Sequence, residues 1–153
     1  MPTAWRILKT KHGLFPFDGE GARLYGGRWT SPGRPAVYTA ESPALATLEI
    51  LVHLQSATTL AHYSLVSVEF PASEVSRIPP SALPANWGTS PAPPELQQLG
   101  DRWLADARHA VLQVPSAVVP HSTNYLLNPR HPAFDSFTFG TPVAYTLDAR
   151  LRG

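Results

Sequence analysis

The sequence predicts an α+β fold, with mostly antiparallel sheet and a few helices. Three features carry this. Short β-prone runs recur along the chain, separated by proline and glycine turns. Only two segments carry helix signals. No strand feeds a glycine loop that opens a helix, so the βαβ unit of a parallel sheet is missing. At 153 residues the chain is expected to form a single domain, residues 1–153.

Ala4-Trp5-Arg6-Ile7-Leu8 reads as a first strand. Arg6, among apolar neighbours, reads as an edge-strand arginine laying its stem on apolar surface. Residues 12–27 read as loop, and Trp29–Ser31 and Val37-Tyr38-Thr39 as short strands. Ser42 before Pro43 predicts a helix start, with a hydroxyl N-cap followed by proline where no N–H is needed. That helix is expected to run to Gln55 and to be buried, because Leu45, Leu48, Ile50, Leu51, Val52 and Leu54 surround it.

The longest strand is predicted from Leu60 to Phe70. Residues 79–94 hold six prolines and read as an irregular surface loop. A helix over 95–109 follows, with Leu96, Leu99, Trp103 and Leu104 on one stripe; Gly100 weakens it by roughly 1 kcal/mol against alanine. β structure resumes through Ala110–Val114, Ala117–Val119, Asn124–Leu127 and a last strand near Pro142–Leu147.

Composition narrows the function classes. With 43% hydrophobic and 15% charged residues the chain is a folding globule, and its charge lies below the usual ~25%, consistent with surface covered by a partner. The net charge is +1 without a basic block, which points away from direct nucleic-acid or membrane binding. Cysteine is absent, excluding disulfides and thiolate zinc sites. The start, Met1-Pro2-Thr3-Ala4-Trp5-Arg6, lacks a leader pattern, and no apolar run nears the roughly 20 residues that span a bilayer; a cytoplasmic protein is expected.

The chemistry concentrates between Gly19 and Glu49. Gly19-Glu20-Gly21 and Gly26-Gly27-Arg28-Trp29 match neither a dinucleotide fingerprint nor a Walker loop. A glycine-dense loop with arginines fits either a turn cluster or a pocket for a phosphate-bearing ligand. Arg28 is a surface arginine stacked on Trp29 or a fork for phosphate. Tyr38 is a strand aromatic or a ring facing a ligand. Glu49, on an apolar helix with no lysine or arginine one turn away, must find a polar partner elsewhere, Arg6 or Arg28 being the structural candidates. His53 follows one turn later, but the histidines lack metal-ligand spacing, and no metal is expected. Ser116 lies in no nucleophile elbow. Asn124, Asn128 and His131 read as turn hydrogen-bonders.

Taken together, these residues resemble the RES-domain family, the toxin half of bacterial RES–Xre toxin–antitoxin pairs. The resemblance is carried by Trp5-Arg6, Gly19-Glu20-Gly21-Ala22, Gly26-Gly27-Arg28-Trp29, Pro32-Gly33, Val37-Tyr38, Glu41-Ser42-Pro43-Ala44-Leu45-Ala46 and Leu48-Glu49. Downstream it continues through Val114-Pro115-Ser116-Ala117-Val118-Val119-Pro120 and Asn124-Tyr125-Leu126-Leu127-Asn128-Pro129-Arg130-His131-Pro132. The Arg, Glu and Ser of the family name are best matched by Arg28, Glu49 and Ser116. Phe17-Asp18, where many relatives have Ser-Gly, and His121-Ser122-Thr123 depart from the pattern.

The resemblance implies a fold like the diphtheria-toxin-type mono-ADP-ribosyltransferases and an attack on NAD+ that cleaves the nicotinamide–ribose bond. It implies Arg28, Tyr38 and Glu49 as catalytic residues, and Arg6, Gly26, Gly27, Arg28, Tyr38 and Ser116 as the residues that bind the dinucleotide. No prosthetic group is implied; NAD+ is the substrate, with inorganic phosphate or water as acceptor. Modification of a cellular protein is the alternative, and a non-catalytic binding module the remaining one. A cognate Xre-type helix-turn-helix antitoxin is the implied partner, with residues 78–94 as a candidate docking surface.

Overall fold

The structure, a computed structural model, describes residues 1–12, 15–53 and 62–152. Three helices and eight strands alternate along it: β1 (Thr3–Lys9), α1 (Glu20–Tyr25), β2 (Val37–Ala40), α2 (Pro43–Leu51), β3 (Tyr63–Glu69), β4 (Val75–Arg77), α3 (Pro94–Asp106), β5 (Val111–Pro115), β6 (Thr123–Leu127), β7 (Thr138–Phe139) and β8 (Val143–Tyr145). The strands form one sheet in the order β4-β5-β6-β2-β1-β3-β7, with β8 also paired to β3. Every pairing is antiparallel except β4 with β5, so the expected α+β, mostly antiparallel class is what forms.

Consecutive apolar residues in β5 and β6 bury the sheet on both faces. Val111 and Leu127 join Ala4, Leu8, Val37, Val66, Val68 and Phe70 on one side. Leu112, Val114 and Leu126 join Trp29, Leu96, Trp103 and Leu104 on the other. A fully buried leucine such as Leu96 contributes about 1.5–3 kcal/mol. Ala40 packs with Leu45 and Ala46 of α2, against Trp5, Ile7 and Val119.

The junction of β1 and β2 positions the site. β1 pairs with β3 along its whole length, from Thr3↔Glu69 to Lys9↔Tyr63. With β2 it shares a single register pair, Trp5↔Ala40. The middle of the sheet is thus fastened at one point.

Several expectations need correcting. Arg6 lies in an interior strand, not an edge. The segment expected as loop over 12–27 contains α1. Gly19 enters it in the left-handed conformation (φ 72°), Glu20 pairs with Arg23 at 2.7 Å, and Gly26 ends it. The glycine density that argued for loop supplies its two ends. Trp29–Ser31 is not a strand; its backbone is held by side chains instead. Helix α2 begins as expected, with Ser42 accepting from the Leu45 N–H at 3.0 Å, but ends at Leu51. Leu54 and Gln55 lie outside the described residues, as do the first residues of the strand expected from Leu60. Nor is α2 buried all round: Leu45, Ala46 and Thr47 are covered, whereas Leu48 and Val52 are exposed. Its apolar residues rim an opening. The strands β4 and β7 are too short to show a period, and Ala117–Val119 forms bends. Helix α3 stops at Asp106 because Ala107 turns left-handed (φ 51°), while the Trp103 indole caps the following turn by donating to the His109 carbonyl at 2.9 Å.

Candidate active site

A cleft of ≈ 1060 Å³ opens over the β1–β2 junction, between α1, α2 and the start of α3. Arg6, Gly26, Gly27, Arg28, Tyr38 and Glu49 all line it, together with His53 and Asn124. Six of the seven expected site residues, drawn from positions 6 to 49, thus line one cavity; Ser116 is not among its lining residues.

Glu49 projects from α2 and is half-buried. Its Oε1 accepts from the Ser116 hydroxyl at 2.7 Å and from the Asn124 side-chain amide at 2.8 Å. These are its partners in place of the expected Arg6 or Arg28. Both bonds fall on Oε1, leaving Oε2 without a donor among the described residues. Ser116 is itself buried behind the carboxylate: its Oγ accepts the Val118 and Val119 N–H groups, each at 3.1 Å, so the hydroxyl proton is directed at Glu49. Ser116, expected to bind the dinucleotide, instead turns its hydroxyl to Glu49 and orients it. The 116–122 loop that carries it is closed by the Ser116 N–H on the Ser122 carbonyl at 2.8 Å. Glu41 ties the entry of α2 to β6 by exchanging bonds with Thr123, at 3.0 Å through its side chain and 3.1 Å through its backbone N–H.

Tyr38 is pinned at its tip. Its hydroxyl accepts from the Trp29 N–H at 3.1 Å and shares a 2.8 Å bond with the Thr30 hydroxyl. Burial pushes its pKa above the usual phenol value, with the hydrogen bonds from Thr30 and Trp29 acting in the opposite, smaller sense. A side chain at position 27 would collide with the Tyr38 hydroxyl, which is why Gly27 stands there. Gly26 takes φ 72° and packs on Pro32, so it also has a structural reason to be glycine.

The arginines differ in how they are engaged. Arg28 Nη1 donates to the carbonyls of Trp87 at 3.1 Å and Thr89 at 2.9 Å, drawing the 87–89 segment to the cleft; these bonds engage it, while Trp29 is buried in the core. Arg6 reaches the Tyr38 carbonyl with Nη1 at 3.4 Å, across the loosely joined β1–β2 gap. Its Nε is buried without a partner among the described residues. Burial pushes its pKa below the ordinary guanidinium value, and Asp18 opposes this in smaller measure. An arginine keeps its proton even so. Arg6 is thus a desolvated cation at the cleft with donors to spare.

Asn124 is the cleft residue that the sequence did not single out. It was expected to serve a turn; it stands in β6 and holds Glu49. Its signal was its place one strand after Ser116, which only the pairing of β5 with β6 reveals. Asn128 and His131 do serve turns, accepting from Arg130 and Ala133 N–H groups at 3.0 Å. Among the described residues no three His, Cys, Asp or Glu side chains are grouped to hold a metal.

The arrangement offers one oriented carboxylate, one under-used, half-buried guanidinium, a second guanidinium and a phenol ring around a cleft large enough for a dinucleotide. Comparison with known proteins bears on what it does. A relative named "Toxin Res" from Yersinia enterocolitica is 38% identical over 97% of this chain and 98% of its own length. One named "Prs ADP-ribosylating toxin" from a Sphingobium species is 42% identical over 84% of this chain and 83% of its own. A solved chain from the M. tuberculosis MbcT–MbcA toxin–antitoxin complex superposes with a TM-score of 0.76 over 94% of this chain and 84% of that one, at 21% identity, a likeness of fold. The RES domain description matches residues 3–148. By that match and by these relatives, the chain belongs to the RES domain family.

Proposed function

We propose that this protein is the toxin of a toxin–antitoxin pair and that it breaks the nicotinamide–ribose bond of NAD+. The observation that carries this is Glu49, fixed through Oε1 by Ser116 and Asn124 and lining one cleft with Arg6, Arg28 and Tyr38. Loss of nicotinamide takes the bonding electrons onto the ring nitrogen and leaves positive charge at the ribose carbon. A carboxylate held in place, in a site partly removed from water, stabilises that charge in the transition state. Tyr38 offers a face to the pyridinium ring. Arg6 and Arg28 hold the pyrophosphate, and Gly26 and Gly27 let backbone approach the ligand. An oxygen of phosphate or water then bonds to the ribose carbon, and water gives its proton to solvent.

Incubating the protein with NAD+, with and without phosphate, and identifying the products by mass tests this directly. Free nicotinamide with ADP-ribose, or with its 1-phosphate, supports the reading; intact NAD+ under both conditions removes it. The name of the Sphingobium relative favours a second reading, transfer of ADP-ribose to a protein. Labelled ADP-ribose appearing on a cellular protein supports that version, and label confined to small molecules excludes it. A non-catalytic dinucleotide-binding module would bind NAD+ and leave it intact.

A toxin acting on NAD+ needs restraint in its own cell. We place that restraint in a helix-turn-helix antitoxin that closes the cleft, consistent with the complex in which the fold neighbour was solved. Gly88, Ser90, Ala92 and Pro94 line the cleft, so a protein seated on residues 78–94 would reach its mouth. Stoichiometric antitoxin should suppress nicotinamide release. Among the described residues no helix is long and apolar enough to cross a membrane.

A further inference from the structure

We infer that Asn124 is a positioning residue for the Glu49 carboxylate, kept at a cost in stability; the inference rests on the proposed NAD+ chemistry. Sheet register places Asn124 between Ala40 of β2 and Val114 of β5, with Trp5 beyond Ala40. Directly paired residues share a face. Asn124 is thus the one amide in a row that runs Val114, Asn124, Ala40, Trp5 and Ser67, and its two direct neighbours, Ala40 and Val114, are both buried and apolar.

The amide orientation follows from its partner. An ionised carboxylate only accepts, so Nδ2 must face Glu49 and Oδ1 must face away. Oδ1 is then buried with no donor among the described residues. A buried acceptor without a donor costs stability, and a leucine of nearly the same shape would remove that cost. Glu49 is half-buried and keeps Ser116, so its fold does not depend on Asn124. What Asn124 adds is a second line of constraint. Ser116 alone leaves the carboxylate free to swing about one hydrogen bond, while two donors on Oε1, one from the loop after β5 and one from β6, fix the direction of Oε2.

Asn124→Leu provides the test, read by thermal unfolding and by nicotinamide release. Expected are an unfolding temperature equal to or above that of the parent, a kcat lower by about tenfold or more, and a KM for NAD+ within about twofold. In the Glu49→Gln background, where NAD+ is not consumed, adding Asn124→Leu should leave the dissociation constant for NAD+ within about twofold. A weakened dissociation constant there means a direct ligand contact and overturns the positioning role. An unfolding temperature that falls while kcat stays at the parent value identifies a merely structural asparagine and overturns it too. Should Asn124→Leu fail to fold, the stability claim falls, and Asn124→Ala decides the rest by the same kcat and KM readings. Release by the parent with undiminished kcat in the variants sinks this inference alone; no release by the parent removes the proposed function and the inference together.

Discussion

Tyr38 shows how much one side chain does here. Its hydroxyl satisfies the Trp29 N–H and meets Thr30, and its ring lines the cleft. Tyr38→Phe should therefore cost about 1–2 kcal/mol in denaturant unfolding, through the N–H left unpaired. The phenol also makes stability depend on alkaline pH. Burial raises its pKa in the folded state, so the folded chain holds this proton after the unfolded chain, at about pH 10, has lost it. That contribution is whole below about pH 10 and is lost as pH rises through the folded-state value. Unfolding curves from pH 9 upward should decline less steeply for Tyr38→Phe than for the parent. Some decline remains in the variant, because burial also raises Tyr125. Equal slopes would show that Tyr38 does not titrate as its surroundings require.

At the scale of elements, α3 organises the loop that carries Gly27 and Arg28. Gln97 donates from Nε2 to the carbonyls of Gly27 at 3.0 Å and Thr30 at 3.2 Å. Asp101 accepts from the Ser31 N–H at 2.9 Å and its hydroxyl at 2.6 Å. Gly100 lets the helix come this close, since a Cβ there would overlap the Trp29 carbonyl oxygen. The sequence shows Gly100 only as a weak point in a helix; the fold shows the backbone that needs it. Gly100→Ala should lower stability by about 1–3 kcal/mol or more, despite alanine's higher helix propensity. Gly21, inside α1, meets nothing within 4 Å of an added Cβ. Gly21→Ala should therefore be neutral or stabilise, by up to about 1 kcal/mol. Chemical denaturation of the pair checks both, and the opposite ranking would contradict the packing described for α3.

For the whole molecule, what was legible followed from how far apart the interacting residues lie. Helix α2 begins at its local signal, because a Ser–Pro cap acts within four residues. The α+β class showed in strand runs and turns. Arg28, Tyr38 and Glu49 stood out as costly residue types and meet in one cleft. Partners did not show. Glu49 is held by residues 67 and 75 positions away, and Arg28 by carbonyls 59 and 61 positions away. Such pairings depend on strand order, as does the placing of β1 inside the sheet, which turned an expected edge arginine into a half-buried cation. Short elements were hidden because two or three residues, as in β7 and β4, cannot alternate, and the six of α1 are too few for a helical period.

All of this converges on Glu49, and the most direct measurement is nicotinamide release from NAD+ by the parent and by Glu49→Gln. The account predicts steady release by the parent and a loss of at least about a hundredfold in the variant, with thermal unfolding unchanged to within a few degrees. Full activity in a folded Glu49→Gln protein would contradict it.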